Sequence, residues 1–133
     1  MDEIERIEVI ETQVQYRDIA ISGEIQTAAY VTYAEDAIRH FWRYRPPLED
    51  EPRFAVSKLD LRIFHGLELD DQIRLTVNIN KIGGKSIGFN VVIDCDDRIV
   101  ADIDVIWTAH NRDTGAAVAL PEDLRDWLYR YLP

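Results

Sequence analysis

Hydrophobic and polar residues alternate along five stretches of the chain, and one longer stretch after the first of them follows a helical period instead. From Glu8 to Tyr16, the residues Ile10, Thr12, Val14 and Tyr16 fall on one face and Glu11, Gln13 and Gln15 on the other. That is the pattern of a strand with one dry and one wet side. A loop from Arg17 to Gln26, containing Gly23, leads to Thr27, which can cap a helix. Tyr30, Val31, Ala34, Ile38, Phe41 and Trp42 then recur at helical spacing, with Thr32, Glu35, Asp36, Arg39 and Arg43 on the other side. Glu35 and Arg39 are spaced for an i,i+4 pair. Two adjacent prolines in Arg45-Pro46-Pro47-Leu48-Glu49-Asp50-Glu51-Pro52 end the helix in an irregular loop.

Four alternating stretches follow. Ser57, Leu59, Leu61 and Ile63 oppose Lys58, Asp60 and Arg62; Ile73, Leu75, Val77 and Ile79 oppose Arg74, Thr76, Asn78 and Asn80. Ile87, Phe89, Val91 and Ile93 form the next apolar face, and Ile99, Ala101, Ile103, Val105 and Trp107 the last. Gly83-Gly84 and Asp96-Asp97 sit where tight antiparallel turns belong. Pro121 opens a short helix with Leu124, Trp127, Leu128 and Tyr131 on one stripe. The order strand, helix, four strands, helix predicts an α+β domain, whose economical packing is a sheet curled around the long helix.

Composition narrows the picture. The 133 residues, 47% of them hydrophobic, suit one domain with a real core, and there is no repeat or linker to divide them. No apolar run is long enough to span a bilayer. The acidic start Met1-Asp2-Glu3-Ile4-Glu5-Arg6 is unlike a secretory signal, so a cytoplasmic location is expected. The single cysteine, Cys95, excludes an intrachain disulfide. A net charge of −10 with only 3 lysines argues against nucleic acid and against an acidic membrane surface as partners.

Within this frame the segment from Tyr16 to Ala37 is similar to the N-terminal signature of the hot-dog acyl-CoA thioesterases related to 4-hydroxybenzoyl-CoA thioesterase. Members read roughly Arg-Tyr/Phe-x-Asp-x-Asp-x-x-Gly-His-Val-Asn-Asn-x-x-Tyr-x-x-Tyr-x-Glu, and Asp18, Gly23, Tyr30, Tyr33 and Glu35 fall in register with it. Leu69-Asp70-Asp71-Gln72-Ile73, Lys85-Ser86, Arg112-Asp113-Thr114-Gly115 and Leu120-Pro121-Glu122-Asp123-Leu124-Arg125 resemble later family segments. The resemblance implies a five-stranded antiparallel sheet wrapped around one long helix over residues 1–133. It also implies a homodimer or tetramer with sites at subunit interfaces, an acyl-CoA or acyl-carrier thioester as substrate, and no cofactor or metal. Two departures stand out. Ala20 takes the place of the family's second Asp, the reacting carboxylate of its best-understood branch, and Glu24-Ile25-Gln26-Thr27 replaces His-Val-Asn-Asn. The arginines that grip the coenzyme A phosphates in one branch correspond to Gly83 and Gly84.

Thioester hydrolysis needs a carboxylate, amide donors for the developing oxyanion and a groove for the acyl chain. The turn from Gly23 through Ile25, Gln26 and Thr27 into the helix can supply the donors. Glu24, one residue beyond Gly23, is the leading carboxylate, against a solvent-exposed loop glutamate. Asp18 is more readily a turn-fixing residue than a reacting one. Glu35 is the alternative because a second branch of hot-dog thioesterases draws its carboxylate from this helix; otherwise it is a partner for Arg39. Gln26 and Thr27 can hold a water or the thioester oxygen, and Tyr33 can line the acyl pocket. Lys58, Lys81, Lys85 and Arg62 are the candidates for the phosphates, with Arg74 beside them. His40, His65 and His110 lack ligand spacing, the acidic run around Asp96 lacks a calcium-loop pattern, and Cys95 lacks a basic neighbour. Three readings remain: a thioesterase, a non-catalytic module that binds an acyl thioester or small apolar ligand, and a structural oligomer.

Overall fold

Period-2 alternation with β-branched residues on the dry face makes the strands, and the computed structural model, which describes residues 8–132, orders them as one sheet. The strands are β1 (Glu8–Gln13), β2 (Arg53–Ile63), β3 (Gln72–Ile82), β4 (Ser86–Cys95) and β5 (Arg98–His110). All pairings are antiparallel in the order β1-β3-β4-β5-β2. The helices are α1 (Thr27–Trp42) and α2 (Glu122–Tyr129). The acidic start Met1–Arg6 lies outside the described residues.

Helix α1 buries Ala29, Tyr30, Tyr33, Ala34, Ala37, Ile38 and Phe41, and this stripe packs on the inner face of β3, β4 and β5. Ile73, Leu75, Val77 and Ile79 of β3, Ile87, Phe89, Val91 and Ile93 of β4, and Ala101, Ile103 and Val105 of β5 close the core. Every one of these is at most 2% exposed, so the alternation read from the sequence is the alternation of burial. Asp96 and Asp97 both take left-handed conformations, φ 53° and 61°, as a two-residue hairpin turn between β4 and β5 requires. Helix α2 covers the end of the sheet with Leu124, Trp127 and Leu128.

Register departs from simple alternation at three bulges. In β2, Val56 faces Trp107 and Lys58 faces Ile106, leaving Ser57 as the extra residue. Ser57 is thereby moved to the polar face, where its Oγ accepts from Thr108 Oγ1 at 2.8 Å, and Val56 takes the apolar side. In β3 the break lies between Ile79 and Lys81. In the last hairpin, Ile93 faces Ala101 and Asp94 faces Ile99, so Val100 is buried and Ile99 is exposed. Each bulge adds bend and twist, which an open sheet needs to curl around a helix. The first strand also ends earlier than its pattern implies: Val14 is buried, but Tyr16 sits exposed in a single 3-10 turn, Tyr16–Asp18.

Candidate functional site

The loop between the 3-10 turn and α1 is a tight chain reversal. Gly23 adopts φ 95°, a left-handed value that favours glycine, and its N–H donates to Ala20 O at 3.0 Å. Ala20 N–H donates back to Glu24 O at 2.8 Å, which closes the turn. Ile25 N–H then donates to Leu67 O, and Gln26 N–H to Asp18 O, both at 2.8 Å. These two amides are therefore occupied, and the Ile25 side chain is buried in the core. Gln26, not Thr27, is the cap residue of α1, in an extended conformation whose side chain makes no capping bond. Thr27 is the first helical residue. The amides of Thr27 and Ala28, at the positive end of the helix and in an exposed stretch, are the donors that can serve an oxyanion.

Glu24, three residues ahead of Thr27, is on the surface. It bridges to Glu68 as an isolated antiparallel pair, and its carboxylate lies over Gly66, filling the space that a Cβ at Gly66 would need. The segment His65–Leu67 is held by Tyr30, whose hydroxyl donates to His65 O at 3.2 Å. Burial pushes the Tyr30 phenol up from its ordinary value. The Leu67 backbone opposes that shift and the neighbouring Glu24 charge adds to it.

Asp18 closes the 3-10 turn, and its Oδ2 accepts from the Tyr33 hydroxyl at 2.8 Å. Burial, then this bond to Asp18, hold the Tyr33 phenol up to about 12. The Tyr33 ring edges a cleft of ≈ 190 Å³ between β1 and α1, together with Ile10, Thr12, Arg17, Ala37 and Leu75. Glu35 is exposed two turns into α1, and Arg39 pairs with Asp36 at 2.7 Å rather than with it. Of the phosphate candidates, Lys58 and Lys81 meet at a hollow of ≈ 320 Å³ on the polar face of the sheet, with Asp60, Asn80, Ser86 and Asp104. Lys85 is exposed in the β3–β4 turn. Arg62 is paired with Asp102 at 3.3 Å and Asp104 at 3.7 Å. Glu24, Gly23, Gln26 and Thr27 thus form one cluster, Asp18 and Tyr33 a second, and the lysines a third.

Sequence reasoning did not reach Gly66 or the role of Tyr30. His65-Gly66 reads only as a strand end, and a glycine needed for space rather than for its φ leaves no local signal. The described residues hold no group of three or more His, Cys, Asp or Glu side chains that could bind a metal. Among the described residues no helix is long and apolar enough to cross a membrane.

No family model matches the chain, and no curated protein does. Solved structures do. A predicted thioesterase from Bacillus stearothermophilus superposes with a TM-score of 0.87 at 15% identity, covering 96% of this chain and 97% of that one. A 1,4-dihydroxy-2-naphthoyl-CoA thioesterase from Synechocystis gives 0.83 at 11% identity, with 92% and 96% covered. A hypothetical protein from Staphylococcus aureus in complex with CoA gives 0.85 at 16% identity, with 96% and 86% covered. In sheet order, central helix and overall superposition, the chain has the hot-dog fold of these structures.

Proposed function

We propose that the protein hydrolyses an acyl-CoA or acyl-carrier thioester, with Glu24 as the reacting carboxylate. The observation that carries this reading is an exposed carboxylate, Glu24, three residues ahead of Thr27, the first residue of a helix whose cap side chain makes no capping bond. A thioester carbonyl that accepts from the Thr27 and Ala28 amides puts its carbon beside the Glu24 carboxylate. Water attacks the carbonyl carbon as the carboxylate takes its proton, and the amides hold the oxyanion. The tetrahedral intermediate then collapses: the C–S bond breaks, and protonated Glu24 returns the proton to the departing thiolate, leaving free acid and thiol. The solved relatives support the same chemistry at the level of fold. Asp18 is engaged by Tyr33 and fixes the turn, and Glu35 is the second carboxylate to test. In this reading Lys58, Lys81 and Lys85 meet the carrier's phosphates; the presence of Lys58 and Lys81 at one hollow supports it.

The reading includes a homodimer, or a tetramer built from it. β2 is an 11-residue edge strand, and Val56, Leu59 and Ile63 on its apolar face, with Phe64 beyond it, are exposed. An open edge of that length invites a further strand. Asp60 lies directly opposite Asp104, a like-charge pair. A two-fold axis through Leu59 sets Lys58 opposite Asp60 of a second copy, whereas centring on Lys58 or Asp60 opposes like charges. A non-catalytic acyl-thioester module is the second reading, favoured by Ala20, whose methyl group cannot act as acid or base.

Thiol release from short, medium, long and aromatic acyl-CoAs, at low and high salt, tests the reading. The expected result is turnover that Glu24→Gln abolishes and Glu35→Gln spares. Ligand-dependent thermal stabilisation of the wild type, without turnover on any substrate, favours the binding module.

A further inference from the structure

Gly66 does not owe its identity to backbone conformation. Among the described glycines only Gly23 and Gly115 take positive φ, so an L-residue fits the Gly66 backbone without strain. What it lacks is room. The three nearest atoms to a Cβ built there all belong to the Glu24 carboxylate group, Oε2, Cδ and Oε1, the farthest at 2.9 Å. The carboxylate therefore rests against the bare face of this residue. The Tyr30 bond to His65 O ties this segment to α1, and the Ile25–Leu67 bond ties it to the loop.

We infer that Gly66 is a positioning residue, a seat that holds the Glu24 carboxylate in one place on the loop that leads into α1. The inference rests on the reading of Glu24 as the reacting group. It makes Gly66→Ala an unusual variant: its added methyl meets the end of one flexible side chain, so the fold keeps its place and the carboxylate is the group displaced. A displacement near 1 Å can cost about 10²-fold in rate.

The test is steady-state kinetics on Gly66→Ala, Glu24→Ala, Glu24→Asp and the two double variants, with melting temperatures throughout. Gly66→Ala is expected to lower kcat by about 10²-fold at unchanged KM and Tm. The same change in the Glu24→Ala background is expected to do nothing more. Glu24→Asp, one methylene shorter, is expected to recover part of the lost rate beside Ala at position 66. Full activity in Gly66→Ala overturns the seat, as does an equal loss in the Glu24→Ala background. If Gly66→Ala does not fold, restored folding in either double variant supports the collision with Glu24, and failure of both overturns it. The carboxyl carbon-13 resonance of Glu24 reads the seat without substrate. If the wild type turns nothing over, a changed resonance in Gly66→Ala keeps the seat while the hydrolase reading falls. An unchanged one removes both.

Discussion

The two ends of α1 are built on opposite principles. At its C-terminal end Phe41 stacks on Trp127 with centroids 5.0 Å apart, and Trp42 meets Phe54 at 5.2 Å and Trp107 at 5.0 Å. Phe89 reaches the same cluster, 4.8 Å from Trp107. At the N-terminal end Glu24, Gln26, Thr27 and Ala28 are exposed, and hydrogen bonds between loop backbones hold the shape. Aromatic burial stabilises one end, and the other is left free to present charge and unpaired amides. One helix thereby anchors in its last turns what it displays in its first.

Truncation should separate the ends most sharply. Phe89→Ala removes a fully buried ring that touches Phe41, Trp42 and Trp107, and is expected to cost about 3–5 kcal/mol in urea unfolding. Glu24→Gln at the other end should leave the unfolding midpoint in place and lower kcat by at least about 10²-fold, or about 2.7 kcal/mol in the barrier. An equal loss of stability in both would erase the contrast.

Tyr33→Phe tests the joint between the two ends. Loss of its bond to Asp18 should cost about 1–2 kcal/mol. The effect has a pH signature. Tyr33 is held up to about 12 in the fold against an ordinary 10.0, so the fold prefers the neutral phenol. The stability from that preference is complete below about pH 10 and is lost as pH rises toward 12. Urea midpoints taken between pH 9 and 12 should therefore fall less steeply for Tyr33→Phe than for wild type. A charge test sharpens the edge-strand reading: Lys58→Glu should weaken self-association, and adding Asp60→Lys should restore it, as read by sedimentation. The smallest effect concerns Cys95. Burial, then Asp71 and Asp96, push its thiol up, so alkylation at pH 8 should be slower than for a free cysteine.

The closed end of the helix was legible in the sequence, because Phe41, Trp42, Phe89, Trp107 and Trp127 obey the periods of their elements. The open end was legible only as a composition: a glycine, a carboxylate and a helix start within five residues. Its geometry depends on Gly66 and Leu67, which lie beyond β2, and on Tyr30 of α1, and no period links any of them to Glu24. The bulges escaped for a related reason. Ser57, Leu59, Leu61 and Ile63 look like one uninterrupted face, but the extra residue at Ser57 lets Phe54 and Val56 point inward as well. The cap falls one residue earlier than the residue types suggest: Thr27 is the better capping type, but Gln26 takes the extended cap conformation and Thr27 is the first helical residue.

The same extra residue sets a phase that solvent can read. Along an edge strand with one neighbour, successive amides point alternately to that neighbour and away, so amide hydrogen exchange should trace a comb of slow and fast sites along β2. At Ser57 the comb should skip a tooth, with the slow sites changing parity between Arg53–Val56 and Lys58–Ile63. Dilution then becomes informative. A second copy docked on this edge fills the gaps between the teeth, and as the protein is diluted they should reopen first on either side of Leu59.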